Sequence, residues 1–420
     1  MQPIRGIKDI LPNEIQSWQH IYNVAYKILS TANYDELRTP ILENTDLFKR
    51  SIGNFTDIVN KEMYTFEDQG KRNITLRPEG TASVARSFIY NKLYNNSSIN
   101  RLWYLGPMFR YERPQKGRQR QFHQLGIECI GSEKPIADIE VIRLAIKILT
   151  TLNISQYRLE INSIGNLEER TIYKEKLINY LNKYQKDLDE ESQQRLKTNP
   201  LRILDSKDMK TQEVLLEAPK LISSLKLKSL NHFNEICEHL KYLDIPYQIN
   251  DKLVRGLDYY NYTAFEIKTK ELGTQDTICG GGRYDNLIEQ LGGPPTASVG
   301  WAIGIERLLI IAKKISNLKK KISHIYIITQ GIIAEKKIWT IIQTIEEYEI
   351  NFQLDLNQNN LKKQIKKASQ SKAKICCILG DNEINNNYIT IKWLKTGQQE
   401  QIELYQFKTY LNKIKNLLLT

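Results

Sequence analysis

Between residues 106 and 131 the chain reads GPMFRYERPQKGRQRQFHQLGIECIG, two alternating runs around a basic Pro/Gly loop, which is the pattern of a β-hairpin. Side chains alternate across a strand, so Arg110 and Glu112 share one face and Phe109 and Tyr111 the other. On the return run Phe122, Gln124 and Glu128 share a parity, and Leu125, Ile127 and Cys129 take the opposite one. One face is therefore apolar, and the other carries guanidinium, carboxylate and carboxamide groups. A solvated sheet face with a basic turn has the same pattern, so the hairpin alone leaves both readings open. Further arginines stand beside carboxylates at Arg77 and Glu79, Arg255 and Asp258, and Glu306 and Arg307. Each pair alone is an ordinary ion pair; brought to one site, the planar guanidiniums would clamp phosphate oxygens through parallel hydrogen bonds.

In Gly300-Trp301-Ala302-Ile303-Gly304 the residues at 300, 302 and 304 share a parity, which leaves one strand face nearly bare. Such a face admits a flat ring or another backbone, and a following helix headed by Glu306 and Arg307 would suit a nucleotide. Tight sheet-on-helix packing is the competing reading. Neither a G-x-x-x-x-G-K-[ST] nor a G-x-G-x-x-G motif is present, so any nucleotide site is of another kind.

The elements that must position these groups follow from periodicity. Residues 13–31 read as a helix and 34–43 as a strand interrupted at Pro40, an edge or interface position. A short strand at 73–76 runs into Arg77-Pro78-Glu79-Gly80-Thr81 and a helix at 82–94; after the hairpin come a helix at 137–152 and a strand at 157–161. Long charged helical periodicity with few glycines marks 166–243 as an inserted helical domain. Strand character returns at 264–268, is punctuated by Gly280-Gly281-Gly282-Arg283-Tyr284-Asp285, and resumes at 298–303 before a helix at 304–314. A Lys-rich linker at 317–322 precedes a small α/β unit with strands at 325–328, 352–354, 375–379 and 388–393. A chain of 420 residues exceeds what one core usually serves. The expected organisation is a core in two parts, 1–165 and 244–316, an insertion at 166–243 and a C-terminal unit at 323–420.

Composition narrows the partners. No apolar run is long enough to span a bilayer, and the start, MQPIRGIKDILPNEI, lacks the apolar stretch of a secretion signal, so the chain is expected to work where it is made and without a membrane. Cys129, Cys237, Cys279, Cys376 and Cys377 form no C-x-x-C pair, which points to a reducing compartment without a disulfide framework. His232, Cys237 and His239 match no common zinc spacing, and no metal site is expected. The net charge is +12, and residues 313–420, with eighteen lysines, no arginine and nine acids, hold +9 of it. A polyanion such as nucleic acid suits that end. AT-rich coding, which also enriches Ile, Asn and Tyr, would produce the same charge without a binding role.

Taken in order, these segments resemble the three motifs of class II aminoacyl-tRNA synthetases, and specifically the histidyl-tRNA synthetase family. The helix and strand ending at Pro40 are similar to motif 1, FRYERPQKGRQRQFHQ to motif 2 and GWAIGIER to motif 3. LVRGLDYYNYTAFE at 253–266 and GGGRYDNL at 280–287 resemble the two signatures that mark the histidine enzyme, and RGIKDILP and LRPEGT extend the match over about 5–312. The resemblance implies an α+β fold, a class II antiparallel sheet flanked by helices, with a helical insertion and a C-terminal α/β anticodon-binding domain. It implies a homodimer that activates L-histidine with ATP, accompanied by Mg2+ and no prosthetic group, and passes it to tRNA(His). It also implies that Arg110 holds the α-phosphate and substrate carboxylate, Arg255 acts on the α-phosphate from the other side, and Arg307 takes the γ-phosphate while packing on adenine. Glu112 would bind the adenine amino group and Phe122 would stack on the ring. Glu79, Thr81 and Gln124 would take the α-amino group, Glu128 and Tyr260 the imidazole nitrogens, with Tyr259 and Tyr284 closing the histidine pocket. At the hairpin tip Arg113, Gln115, Lys116 and Arg118 would meet the tRNA acceptor end. Lys362, Lys363, Lys366, Lys367 and Lys374 are candidates for tRNA backbone contacts, with a solvated helix face as the alternative. A site built to hydrogen-bond a polar side chain rejects apolar competitors, so no editing domain is expected.

Two other readings share the fold. A regulatory subunit of histidine biosynthesis would be expected to lose the phosphate arginines and the C-terminal unit, whereas this chain keeps Arg110, Arg255 and Arg307 and the unit itself. A synthetase-like module that senses uncharged tRNA would carry degraded motifs and extra domains. The compartment stays open between the cytoplasm and, for an organelle-encoded chain, the plastid stroma.

Overall fold

The alternating apolar parity of the hairpin builds the centre of a large sheet. The computed structural model describes residues 1–53, 56–115, 117–273, 276–312, 324–357 and 360–419. Two compact units divide the chain, Met1–Leu318 and Lys319–Thr420. The expected linker at 317–322 and the tip residue Lys116 lie outside the described residues.

In the first unit an eight-stranded sheet runs in the order Asp35–Glu36, Asn100–Phe109, Gln121–Ile130, Ser298–Gly304, Thr277–Arg283, Asn261–Lys268, Arg158–Ser163 and Tyr247–Ile249. The six central strands pair antiparallel, while the short outermost strands pair in parallel with their neighbours. Leu125, Ile127 and Cys129 point into the main apolar core, as their parity requires, together with Trp103 and Trp301. Helices Pro12–Thr31, Pro135–Thr151 and Ile305–Ala312 cover that face, the first two started by a proline in the first turn, where its missing N–H costs nothing. Helix Leu227–Tyr242, expected within the insertion, also packs in this core through Phe233, Ile236, Cys237 and Leu240. That explains its cysteine and histidines: Cys237 is core, His232 Nε2 stands 3.4 Å from Asp138 Oδ2, and His239 Nε2 stands 3.9 Å from Glu235.

The strand expected over 34–43 divides at Pro40. Asp35–Glu36 joins the large sheet, while Leu42–Asn44 pairs with Asn73–Leu76 in a separate three-stranded sheet completed by Tyr64–Glu67. A proline cannot donate to a ladder, so the chain changes sheet there. The glycine run at 280–282, expected as punctuation, lies inside strand Thr277–Arg283. A Cβ at Gly281 would overlap the Gly300 carbonyl and the Phe265 ring, so glycine serves close strand packing. Arg283 is fully buried and binds Asp138 Oδ2 from Nε and Nη2 at 2.9 and 2.7 Å, tying this strand to helix Pro135–Thr151.

The other face of the sheet meets the helical segment that begins at Asn166, whose side chain and Glu169 form a capping box for helix Leu167–Leu181. Tyr173, Leu177, Leu196, Ile203 and Leu221 share one apolar cluster with Phe88, Tyr104, Tyr259 and Tyr284, so the segment has no core apart from the sheet. The C-terminal unit has a five-stranded sheet, in the order Phe352–Leu354, Ile325–Gln330, Ile375–Gly380, Tyr388–Trp393 and Gln399–Glu403, the first three parallel. Adjacent Cys376 and Cys377 point to opposite faces of their strand, into separate clusters. The strand Gln399–Glu403 was not expected, because its polar residues carry no buried face. Among the described residues no helix is long and apolar enough to cross a membrane.

Candidate active site

The polar parity of the hairpin opens onto a cleft of about 350 Å3. Glu79, Thr81, Arg110, Glu112, Arg118, Phe122, Gln124, Arg255, Tyr259, Tyr260 and Arg307 all line it, gathered from stretches at 79–81, 110–124, 255–260 and 307. Glu128 and Tyr284 lie just behind, buried in the wall.

One network surrounds Glu128. Thr81 Oγ1 donates to Glu128 Oε1 at 2.7 Å and the Tyr284 hydroxyl donates to Oε2. Burial pushes the Glu128 carboxyl up to about 8, against the pull of the Tyr284 and Thr81 hydrogen bonds. Glu79 caps helix Thr81–Tyr90, accepting from the Thr81 and Ala82 amides at 2.7 and 2.8 Å, yet burial still raises its carboxyl. Tyr259, Tyr260 and Tyr284 pack ring against ring, with centroids 4.6 to 6.5 Å apart. Gln124 Oε1 is buried without a partner, an acceptor aimed at a donor that the chain itself does not supply. The bare face read at Gly300 is filled by the Glu128 carboxylate, which a Cβ would displace, while Ala302 and Gly304 line the cleft.

A second network is cationic. Arg110 Nε donates to the Pro78 carbonyl at 2.9 Å, its guanidinium lies 5.3 Å from the Phe122 centroid, and Nη1 stands 3.9 Å from Glu112 Oε1. Arg118 Nη1 meets Glu112 Oε2 at 3.1 Å, so it belongs to the cleft wall, whereas Arg113 and Gln115 are exposed on the tip. Arg307 Nη1 donates to the Thr277 carbonyl at 2.6 Å and Nε to that of Gly117 at 3.2 Å. Burial lowers its pKa, and the like charges of Arg118 and Arg110 add to the fall. Arg255 Nη1 donates to Glu266 Oε1 at 2.5 Å over Gly280, where a Cβ would overlap the guanidinium; its Nε is buried without a partner. Arg110, Arg118, Arg255 and Arg307 have Glu112 and Glu266 as their carboxylate neighbours, an excess of cations that suits an anion.

Not every pair read from sequence converges. Arg77 stays out of the cleft and braces the turn, donating to Pro107 O at 2.9 Å and to Thr39 O and Oγ1 at 2.9 and 2.8 Å. Asp258 turns from Arg255 to accept from Asn199 Nδ2 at 3.3 Å. Glu306 accepts from the His123 amide at 3.0 Å instead of pairing with Arg307. Adjacent residues on a strand end or loop point apart, so neighbours in sequence found other partners. Glu266, Thr277, Arg202 and Asp205 also line the cleft and were missed. Glu266 was within reach, since it ends the stretch LVRGLDYYNYTAFE; Arg202 and Asp205 sit in the helical segment, where no local pattern distinguishes them.

Residues 6–308 match the family described as histidyl-tRNA synthetase. The chain belongs to the histidyl-tRNA synthetase family. Residues 324–414 match the anticodon binding domain. The chain is 62% identical over 417 residues to the chloroplastic histidine–tRNA ligase of Gracilaria tenuistipitata var. liui, covering 99% of each chain. It is 56% identical over 419 residues to that of Pyropia yezoensis, covering 100% of this chain and 97% of the relative. The crystal structure of apo S. aureus histidyl-tRNA synthetase superposes with a TM-score of 0.80 at 36% identity, covering 98% of this chain and 99% of the other. Similarity of this order along the whole chain sides with a ligase of the class II synthetase fold over the regulatory subunit. In a histidyl-tRNA synthetase the carboxylate network and the arginine network have different substrates to meet.

Proposed function

We propose that the protein activates L-histidine with ATP and transfers it to the 3′ end of tRNA(His), releasing AMP and pyrophosphate. The observation that carries this reading is one cleft that joins five guanidiniums to a buried glutamate–tyrosine wall and an unpartnered carboxamide. A histidine carboxylate oxygen attacks the α-phosphorus of ATP in line; the new bond is the acyl phosphate, and the bond to the β-phosphate oxygen breaks with its electrons on pyrophosphate. No protein nucleophile is needed, so positioning and charge stabilisation supply the rate.

Arg110 and Arg255 take the α-phosphate, Arg110 the carboxylate also, and Arg307 the γ-phosphate beside adenine. Glu112 receives the adenine amino group and Phe122 stacks on the ring. Glu79, Thr81 and Gln124 receive the α-ammonium; Thr81 already donates to Glu128, which leaves its lone pairs to accept. Glu128 and Tyr260 meet the imidazole nitrogens, with Tyr259 and Tyr284 as walls. Mg2+ would accompany ATP as part of the substrate and offset phosphate charge, and Glu266 and Glu306, two of the lining carboxylates, would help to hold it.

In the second step the terminal ribose hydroxyl of tRNA(His) attacks the histidyl carbonyl and AMP leaves. Arg113 and Gln115, exposed on the tip, meet the acceptor end, Lys116 is assigned to the same contact from its place in the motif, and Arg118 stands where tip and cleft meet. We assign the core to 1–165 and 244–316, the insertion to 166–243 and the anticodon-binding domain to 323–420. A homodimer is supported by Leu42, Phe66 and Tyr90, exposed at 47%, 46% and 79%. A plastid stroma is supported by the chloroplastic relatives. The test is histidine-dependent exchange of pyrophosphate into ATP by the purified protein; no exchange with histidine, Mg2+ and ATP all supplied would sink the reading.

A further inference from the structure

Three residues of the helical segment reach the loop that carries Arg255. Arg170, on helix Leu167–Leu181, donates from Nη1 to the Tyr260 carbonyl at 2.6 Å and from Nη2 to the Asp258 carbonyl at 3.2 Å. Asn199 holds the Asp258 side chain, and the Arg202 guanidinium rests on Gly256, where a Cβ would stand 3.3 Å from Nη1. An open pocket of about 240 Å3 lies between the loop and the helices, lined by Arg170, Asn199, Arg202 and Asp258 as well as by Val254 and Leu257. Val254, Tyr259 and Tyr260 anchor the loop in the apolar cluster it shares with the helical segment, and the polar contacts fix the direction of its backbone. The Tyr260 ring lies 5.3 Å from the Arg255 guanidinium carbon and 4.6 Å from the Tyr259 ring. A shift of the Tyr260 backbone therefore moves the phosphate-facing arginine and the tyrosine wall together.

We propose that Arg170 is a positioning residue for adenylation: from outside the cleft it sets the backbone that aims Arg255 at the reacting phosphate and Tyr259 and Tyr260 at the imidazole. This rests on the reading of the cleft given above. Two carbonyls held by one planar guanidinium fix both the height and the tilt of the loop, which a single contact would not. Because Arg170 belongs to the helical segment, a load on that segment reaches the chemistry through these two bonds as well as through Asn199 and Arg202.

The test compares Arg170→Ala, Arg170→Lys and, on the solvent side of the same helix, Glu175→Ala in histidine-dependent pyrophosphate exchange, with active sites titrated by single-turnover adenylate formation. Arg170→Ala should lower kcat per titrated site roughly tenfold or more and raise KM for histidine about fivefold, with KM for ATP within about twofold, because Arg110 and Arg307 still hold the nucleotide. Arg170→Lys, which reaches one carbonyl at a time, should fall between; Glu175→Ala should match the parent. If Arg170→Ala does not fold, the same split is read on Arg170→Lys. Fewer titrated sites with unchanged kcat and KM per site would mean a merely structural role and overturn the proposal, as would unchanged kinetics. A parent enzyme without exchange would instead overturn the reading of the cleft.

Discussion

At Glu128 three side chains decide where a proton sits. Burial raises its pKa to about 8, and the nearby Glu79 charge adds to the rise. Burial and the Glu128 charge hold Tyr284 well above its ordinary value, so the phenol keeps its proton and donates. A carboxyl raised in the folded state contributes stability that is complete below its unfolded value near 4.5 and lost as pH climbs through about 8. Glu128→Gln removes that dependence. The ligand-free parent should therefore lose stability relative to Glu128→Gln between pH ~5 and ~8, by a few kcal/mol (about 4 at most), measurable as a pH series of Tm. Imidazole bound against Glu128 donates a further hydrogen bond to its carboxylate, so the same variant should raise KM for histidine about 10- to 100-fold with KM for ATP nearly unchanged. A variant that bound histidine as well as the parent would remove Glu128 from the imidazole. At this scale the arginines at 110, 255 and 307 were legible through the motifs they stand in and all line the cleft, whereas Arg77 looks the same beside its carboxylate and serves the turn.

Among the elements, the paired strands Thr277–Arg283 and Ser298–Gly304 do two jobs with one residue type. Gly281 is required by backbone, since its Cβ would strike the Gly300 carbonyl and the Phe265 ring. Gly280 is required by chemistry, since its Cβ would strike the Arg255 guanidinium. Gly281→Ala should cost stability, about 1–3 kcal/mol, as a lower Tm. Gly280→Ala should leave Tm within a few degrees and lower exchange kcat roughly 10- to 100-fold by pushing Arg255 off Glu266. If the two variants exchanged phenotypes, the division of labour along the strand would be wrong. Neither role was legible beforehand: a Gly-Gly-Gly run reads locally as punctuation, and only partners from distant segments turn it into a strand. Pro40 behaves the other way, because its missing donor is a local property, and the break expected there is the change of sheet that the fold makes.

For the whole molecule, Met1–Leu318 and Lys319–Thr420 each own their apolar clusters. A chain ending at 318 should therefore fold, keep histidine-dependent exchange and sediment as a dimer, while aminoacylation of tRNA(His) falls about 100-fold or more in kcat/KM. Loss of exchange on truncation would mean that the second unit takes part in the chemistry. Within that unit the lysines divide. Lys362, Lys363 and Lys366 are exposed, whereas Lys374 donates to the Leu417 carbonyl at 3.0 Å and Lys367 stands 3.9 Å from Asp355. The first three are the ones available to a phosphate backbone.

The residue order alone determined the family, the alternation of the central hairpin, the helices that begin at proline, and the three arginines of the cleft, because each rests on local periodicity or on a motif of fixed spacing. Tertiary structure alone decided that Arg118 turns into the cleft, that Arg202 and Asp205 reach it from the helical segment, and that Arg170 holds the loop beneath Arg255. The Arg170 contacts join residues 90 and 88 positions apart, and such distances enter the energy only after the chain has closed on itself, so no window of sequence contains them; Arg118 finds Glu112 nearby in sequence, but only the folded hairpin tip sets its direction.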